Sequence, residues 1–152
     1  MPLDQSVIGT PLPPSTLTVE AGRLRFFAQA IGERNPIFTD LDAAKAAGYA
    51  NLPVPPTFLF GIELDNPDSF SWLADLGIDL RRVLHGEQSF TYHATAVAGD
   101  VLTSTPTIGN VYTKKGGALE FIEKTSTVTR ADGTLVAELK SVIVVRNPEA
   151  AK

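Results

Sequence analysis

The spacing of apolar residues changes character partway along the chain. In the first half it is helical: Leu24, Phe27, Ala28 and Ile31 share one side of a wheel, with Arg23, Gln29 and Glu33 spread around the rest. This predicts a helix over residues 19–31, with Thr18 as its N-cap and Gly32 as its stop. Glu33-Arg34-Asn35-Pro36 reads as a turn, because Pro36 disfavours continued helix. Asp40 then caps a short alanine-rich helix that ends at Gly48, and three prolines between Asn51 and Pro56 break the chain again. The run Thr57-Phe58-Leu59-Phe60-Gly61-Ile62 is apolar without alternation, so periodicity leaves a buried helix and a buried strand both open. Proline is well placed at a first helical turn, where its missing N–H would be unpaired anyway. Residues 65–77 read as a loop with one helical turn near 71–76.

From Ile78 onward the period is two. Gln88, Phe90, Tyr92 and Ala94 alternate with Ser89, Thr91 and His93; Gly99-Asp100 reads as a hairpin turn and residues 101–113 as a strand. Pro106 within that strand predicts an edge position or a bulge, since proline cannot donate to a ladder. A turn at 114–117 leads to a strand over 118–130, and Asp132-Gly133 marks a hairpin. Leu135, Ala137, Leu139, Ser141, Ile143 and Val145 line one face of the last strand. Its other face carries Glu138 and Lys140 but also Val142 and Val144, so that end is expected to be covered on both sides. Helices first and a meander of long strands afterwards is an α+β layout. A single domain over residues 1–152 is expected, with the proline-rich residues 1–15 as an irregular lead-in.

Composition narrows the function. The 152 residues, 43% hydrophobic and 20% charged, suffice for one domain with its own core. A net charge of -4 leaves no basic surplus to neutralise phosphates, so nucleic acid is not expected as a partner. No apolar run approaches the roughly 20 residues of a membrane span, and residues 1–10 lack the basic-then-apolar order of a secretory leader. No membrane association is therefore expected, and a cytoplasmic location is. Cysteine is absent, which removes disulfides, thiolate nucleophiles and cysteine metal sites together. His85 and His93 are the only histidines, so a three-histidine metal site is impossible within one chain. With no phosphate-binding or dinucleotide fingerprint either, no cofactor is expected.

Residues 26–58 read FFAQAIGERNPIFTDLDAAKAAGYANLPVPPTF. This stretch resembles the signature segment of MaoC-like (hydratase-2) dehydratases and (R)-specific enoyl-thioester hydratases: an aromatic-led helix end, Gly-Asp-x-Asn-Pro-hydrophobic-His, then small residues and a glycine. Gly32, Asn35, Pro36, Ile37, the small residues of 43–47 and Gly48 match. Residues 88–102, QSFTYHATAVAGDVL, look like the strand-turn-strand of the same group. The Pro-Pro-Thr-Phe ending and the His85-Gly86-Glu87-Gln88 run are most similar to the N-terminal-type MaoC domain, a type that includes partner subunits of bacterial hydroxyacyl-thioester dehydratases. The resemblance implies a single hotdog fold, a curved antiparallel sheet wrapped around a central helix, and thereby favours a buried helix after Pro56. It also implies an acyl thioester as substrate, bound where two hotdogs meet edge to edge, in a homodimer or a heterodimer with a MaoC-like chain.

Hydration of an enoyl thioester needs a base to activate water at the β-carbon, an acid at the α-carbon, and donors for an oxygen that gains enolate character. In the family, the signature Asp and His hold the water, and a backbone N–H at the start of the central helix serves the oxygen. This sequence departs at three points: Glu33 stands at the Asp position, Phe38 at the His position, and Pro55-Pro56 where active members have His-Gly. Phenylalanine moves no proton, and proline has no N–H, which leaves Thr57 as the next donor. Each lost proton-transfer role costs roughly 10²–10⁴-fold in rate. Glu33, Asn35 and His85 are the candidate catalytic residues, with His93 in reserve, although Asn35 also reads as a turn-fixing residue. Phe38, Pro56, Thr57 and Phe58 are the candidate substrate contacts. Four functions follow: a subunit lending its pocket to a catalytic MaoC-like partner; an independent hydratase using Glu33 with a displaced histidine; a hotdog acyl-CoA thioesterase with Glu33 or Glu63 activating water; or a non-catalytic acyl-thioester binder.

Overall fold

Five antiparallel strands make one curved sheet in a computed structural model that describes residues 3–151. They are β1 (Ser15–Thr18), β2 (Val83–Tyr92), β3 (Val101–Lys114), β4 (Leu119–Arg130) and β5 (Leu135–Arg146), in the order β1-β3-β4-β5-β2. The helices are α1 (Ala21–Ala30), α2 (Leu41–Ala46), α3 (Gly61–Leu64) and α4 (Ser71–Asp75). A 3-10 segment over Pro56–Phe60 runs straight into α3, and the two make the central helix. That helix buries Phe58, Leu59 and Ile62 against Leu102, Val128 and Leu139 of the sheet. The apolar run after Pro56 is therefore a helix, as the family resemblance implied. Among the described residues, no helix is long and apolar enough to cross a membrane.

Several local features match the sequence. Asp40 Oδ1 accepts from the amides of Asp42 (2.8 Å) and Ala43 at the start of α2, and Gly48 takes the left-handed conformation after it (φ 97°). Asp132 Oδ1 accepts from Thr134 N at 2.9 Å in the β4–β5 hairpin. Three expectations need correction. The first helix starts at Ala21, with Glu20 at its N-cap, because Thr18 ends a strand the sequence reading missed. Ser15–Thr18 pairs with Val101–Ser104, and four residues are too few for alternation to stand out in a proline-rich lead-in. Second, β2 and β3 are not a hairpin: β2 lies against β5 at the far edge, and β3 lies between β1 and β4. Asp100 instead braces the crossover, its Oδ2 accepting from Val97 N at 2.9 Å and Arg130 Nε at 3.1 Å.

The third correction concerns Pro106. Its strand is not an edge strand, and the bulge in β3 falls between Ile108 and Asn110. Proline is tolerated because β1 covers only Val101–Ser104. The Pro106 carbonyl accepts from Leu12 N at 2.9 Å, so the edge that lacks an N–H faces a short irregular segment and not a full strand.

The concave face has a distinctive order. One apolar cluster includes Leu17, Leu24, Leu59, Ile62, Leu102, Val128, Ala137 and Leu139; a second includes Leu12, Trp72, Leu73, Ile108, Ile122, Ile143 and Val145. Along the long strands the inner residues pass from one cluster to the other through polar side chains. These are Ser15 on the β1 side, Ser104 in β3, Ser126 and Lys124 in β4, Ser141 in β5 and Gln88 in β2. A polar row thus crosses the sheet beneath the central helix.

Candidate functional site

The edge strand β2 and the central helix frame an open groove of about 670 Å³. Phe27 of α1, Thr57 and Phe60 of the central helix, and His85, Gln88 and Phe90 of β2 line it. Alternation along β2 points Gln88 and Phe90 at the helix. A bulge between His85 and Glu87 resets the register so that His85 joins them. Gly86 sits at that bulge, where a Cβ would lie 2.9 Å from Val144 Cγ2 and 3.2 Å from the Val142 carbonyl. The His85 ring meets Phe60 edge to face at 5.1 Å, and its Nε2 is 3.0 Å from the Glu87 carbonyl oxygen. Thr57 is exposed at the groove, and no side chain caps the start of its helix. Elements that frame the groove also carry exposed apolar residues: Phe26 (74% exposed), Leu64 (45%), Leu84 (49%) and Tyr92 (48%).

The signature loop is occupied with itself. Glu33 Oε1 accepts from Asn35 N at 2.8 Å, and Asn35 Oδ1 accepts from Ile37 N at 3.2 Å, capping the 3-10 turn Pro36–Phe38. Asn35 thus holds the loop's shape. Phe38 is half-buried there. Glu33 and the histidines do not pair: His85 bonds within β2, and His93 Nε2 lies 2.8 Å from Glu138 Oε2. His93 belongs to a separate cavity of about 310 Å³ that Pro56 and Leu59 also line. Phe58 packs into the core, edge to face on Phe27 at 5.4 Å, and so supports the groove from behind. Of the candidate residues, Thr57 and His85 meet in the groove. Phe27, Phe60, Gln88 and Phe90 were missed as lining residues. The apolar spacing that placed Phe27 and Phe90 on inner faces was their only signal.

A different carboxylate is the centre of a built network. Glu63 projects from the central helix onto the polar row: its Oε1 accepts from Ser104 Oγ (2.7 Å) and Ser126 Oγ (2.6 Å), and its Oε2 pairs with Lys124 Nζ. Both charged side chains are largely shielded, at 16% and 14% exposure. The Lys124 ammonium also sits 5.7 Å from the centroid of the Trp72 ring. Burial works to raise the pKa of Glu63, but the charge of Lys124 and the hydrogen bonds from Lys124, Ser126 and Ser104 outweigh it and hold the pKa below the ordinary value. The row continues to the groove, where Ser141 Oγ donates to Gln88 Oε1 at 2.6 Å. No buried side-chain nitrogen or oxygen among the described residues lacks a hydrogen-bond partner.

Known proteins agree with this architecture. The family model described as FAS1-like, dehydratase domain region, matches residues 6–139. A UPF0336 protein of Saccharopolyspora erythraea is 38% identical over 148 residues, which is 96% of this chain and 93% of the relative. Among solved structures, a chain of the HadBC (3R-hydroxyacyl-ACP dehydratase) complex of Mycobacterium tuberculosis superposes with a TM-score of 0.74, at 23% identity over 94% of this chain and 99% of that one. A MaoC-like dehydratase gives a TM-score of 0.80 at 22% identity, covering 95% of this chain and 43% of that one. A chain of the ChsH1-ChsH2 complex of the same mycobacterium gives 0.72 at 24% identity, over 91% and 89% of the two chains. The chain belongs to the FAS1-like dehydratase-region family and has the single hotdog fold of the MaoC-like dehydratases.

Proposed function

We propose that this chain is the substrate-holding subunit of a heteromeric MaoC-like (3R)-hydroxyacyl-thioester dehydratase, and that its partner supplies the catalytic Asp and His. The observation that carries this reading is the division of labour inside the chain. An aromatic groove is intact at the free edge of β2, while the polar groups of the signature loop are consumed in local turn bonds and Phe38 stands in place of a proton carrier. The exposed apolar residues around the groove suit a second hotdog pairing along β2. Two structures with this fold come from complexes of paired chains, HadBC and ChsH1-ChsH2.

In this scheme the acyl chain lies in the groove between Phe27, Phe60 and Phe90, and the thioester sits near Thr57. The Thr57 amide is the first N–H of the central helix after Pro56 and is the donor offered to the thioester oxygen. Dehydration needs only proton transfer and oxyanion stabilisation, so the scheme calls for no cofactor. The thioesterase reading loses its second carboxylate, because Glu63 is saturated by Lys124 and two serines and is no free base.

Co-expression with a MaoC-like chain that retains the signature Asp and His tests the proposal. A stable complex with hydratase activity on crotonyl-CoA, absent from either chain alone, is the expected outcome. Efficient turnover by the isolated chain would overturn it. Release of free CoA without hydration would favour the thioesterase.

A further inference from the structure

Ser141 is a buried polar residue on the inner face of β5, between Leu139 of one apolar cluster and Ile143 of the other. Burying a hydroxyl costs free energy unless it finds a partner. Among the described residues, the side-chain partner of Ser141 Oγ is Gln88 Oε1, at 2.6 Å. Register makes the two direct neighbours: Gln88 of β2 stands opposite Ser141 of β5, so both side chains rise on the same face. With its oxygen tied to the buried hydroxyl, the Gln88 carboxamide has its nitrogen left to present. That nitrogen carries N–H donors to spare. Its partner within the described chain is the Ser89 carbonyl at 3.4 Å, longer than the roughly 2.7–3.2 Å of an ordinary N–H···O bond.

Gln88 itself lines the groove, among Phe27, Phe60 and Phe90. The other polar liners have work already: in the proposed scheme the Thr57 amide serves the thioester oxygen, and His85 Nε2 is 3.0 Å from the Glu87 carbonyl oxygen. We propose that Gln88, aimed by Ser141, is a specificity residue of this groove: its Nε2 donates to an oxygen on C3 of the acyl chain, so that the protein prefers 3-hydroxyacyl thioesters to saturated ones of the same length. A saturated chain strips water from the amide and offers no acceptor in its place. The inference rests on the acyl-thioester reading of the groove and adds to it a named contact for the hydroxyl. Gln88 touches the substrate, and Ser141 is a positioning residue; neither moves a proton.

The experiment titrates the full chain with (R)-3-hydroxyhexanoyl-CoA and with hexanoyl-CoA in a calorimeter and takes the ratio of the two affinities. Wild type is expected to favour the hydroxy ligand about tenfold, the worth of one hydrogen bond whose donor is otherwise left unpaired. Gln88→Met keeps the length of the side chain and has no donor, and should bring the ratio to about one. Ser141→Ala keeps the donor and frees it to turn, and should bring the ratio to about threefold. A serine with a purely structural role would change stability and leave the ratio alone. Melting curves establish that each variant is folded; if one is not, wild type and the other variant decide. A wild-type ratio near one, or Gln88→Met at the wild-type ratio, overturns the contact. Ser141→Ala at the wild-type ratio overturns the aiming. Binding of neither ligand overturns the acyl-thioester reading of the groove, and the contact falls with it.

Discussion

Glu33 and Glu63 are both glutamates on or beside helices, yet their surroundings are opposite. Glu33 lies in the signature loop, where catalysis is expected, and its carboxylate does nothing more than accept from the amide of Asn35. Glu63 lies on the sheet-facing side of the central helix, where the fold calls only for packing, and it is held by two serines and a shielded lysine. The loop that should do chemistry is built as a turn, and the interior that should be greasy is built as a polar network. A carboxylate tuned for proton transfer needs a neighbour that shifts it and access to substrate. Glu33 spends its carboxylate on the Asn35 amide, and Glu63 has its pKa pushed the wrong way for a base at neutral pH. On the proposed function, the chain holds the substrate and its partner moves the protons.

The sharpest way to break this contrast is to remove one member of the buried pair. Glu63→Ala should cost about 3–5 kcal/mol in denaturant unfolding, because Lys124 is left shielded and unpaired. Glu63→Leu/Lys124→Met should restore stability to within about 1 kcal/mol of wild type or exceed it. If Glu63→Ala is nearly silent, the network is surface decoration.

Acid provides a graded version of the same test. The folded pKa of Glu63 lies below its ordinary value of 4.5, so the native state holds fewer protons there than the unfolded chain. Its contribution is fully present above pH 4.5 and is lost as pH falls below that value. The double variant should lose less stability than wild type between pH 5 and the acid limit in thermal melts, other carboxylates being unchanged.

Effects in the signature loop should be smaller. Asn35→Ala removes the cap of the Pro36–Phe38 turn and should cost about 1 kcal/mol by the same unfolding assay. Glu33→Gln keeps an acceptor for the Asn35 amide and should change stability by no more than about 0.5 kcal/mol. A loss of several kcal/mol there would mean that Glu33 carries a structural load its hydrogen bonds do not reveal.

Much of the fold was readable because its elements are long or sharply capped. The alternation in residues 118–130 and 135–145, the Asp40 cap and the Asp132-Gly133 hairpin are local signals with local causes. What failed was non-local. Ser15–Thr18 is a strand only because Val101–Ser104 lies beside it, and the Gly99-Asp100 turn closes a crossover because β2 has already paired with β5. No periodicity encodes those partners. The polar row was in the sequence as serines and a lysine at inner strand positions, Ser141 among leucines and isoleucine being the plainest. Its meaning depended on the register that brings Ser104, Lys124, Ser126 and Gln88 together beneath Glu63. The departures at Phe38 and Pro56 were legible as absences, and the groove that gives them significance was not, because Phe27, Phe60 and Phe90 read only as core.

The central claim is that the protons are moved by the partner. It is tested most directly on the reconstituted complex carrying Glu33→Gln, His85→Ala and His93→Ala together in this chain, with kcat for crotonyl-CoA hydration measured at saturating substrate. The account expects kcat to stay within about twofold of the unmodified complex, since none of the three residues carries a proton-transfer role worth roughly 10²-fold or more. A fall of about 10²-fold or more, with the complex intact, would place the chemistry in this chain and contradict the account.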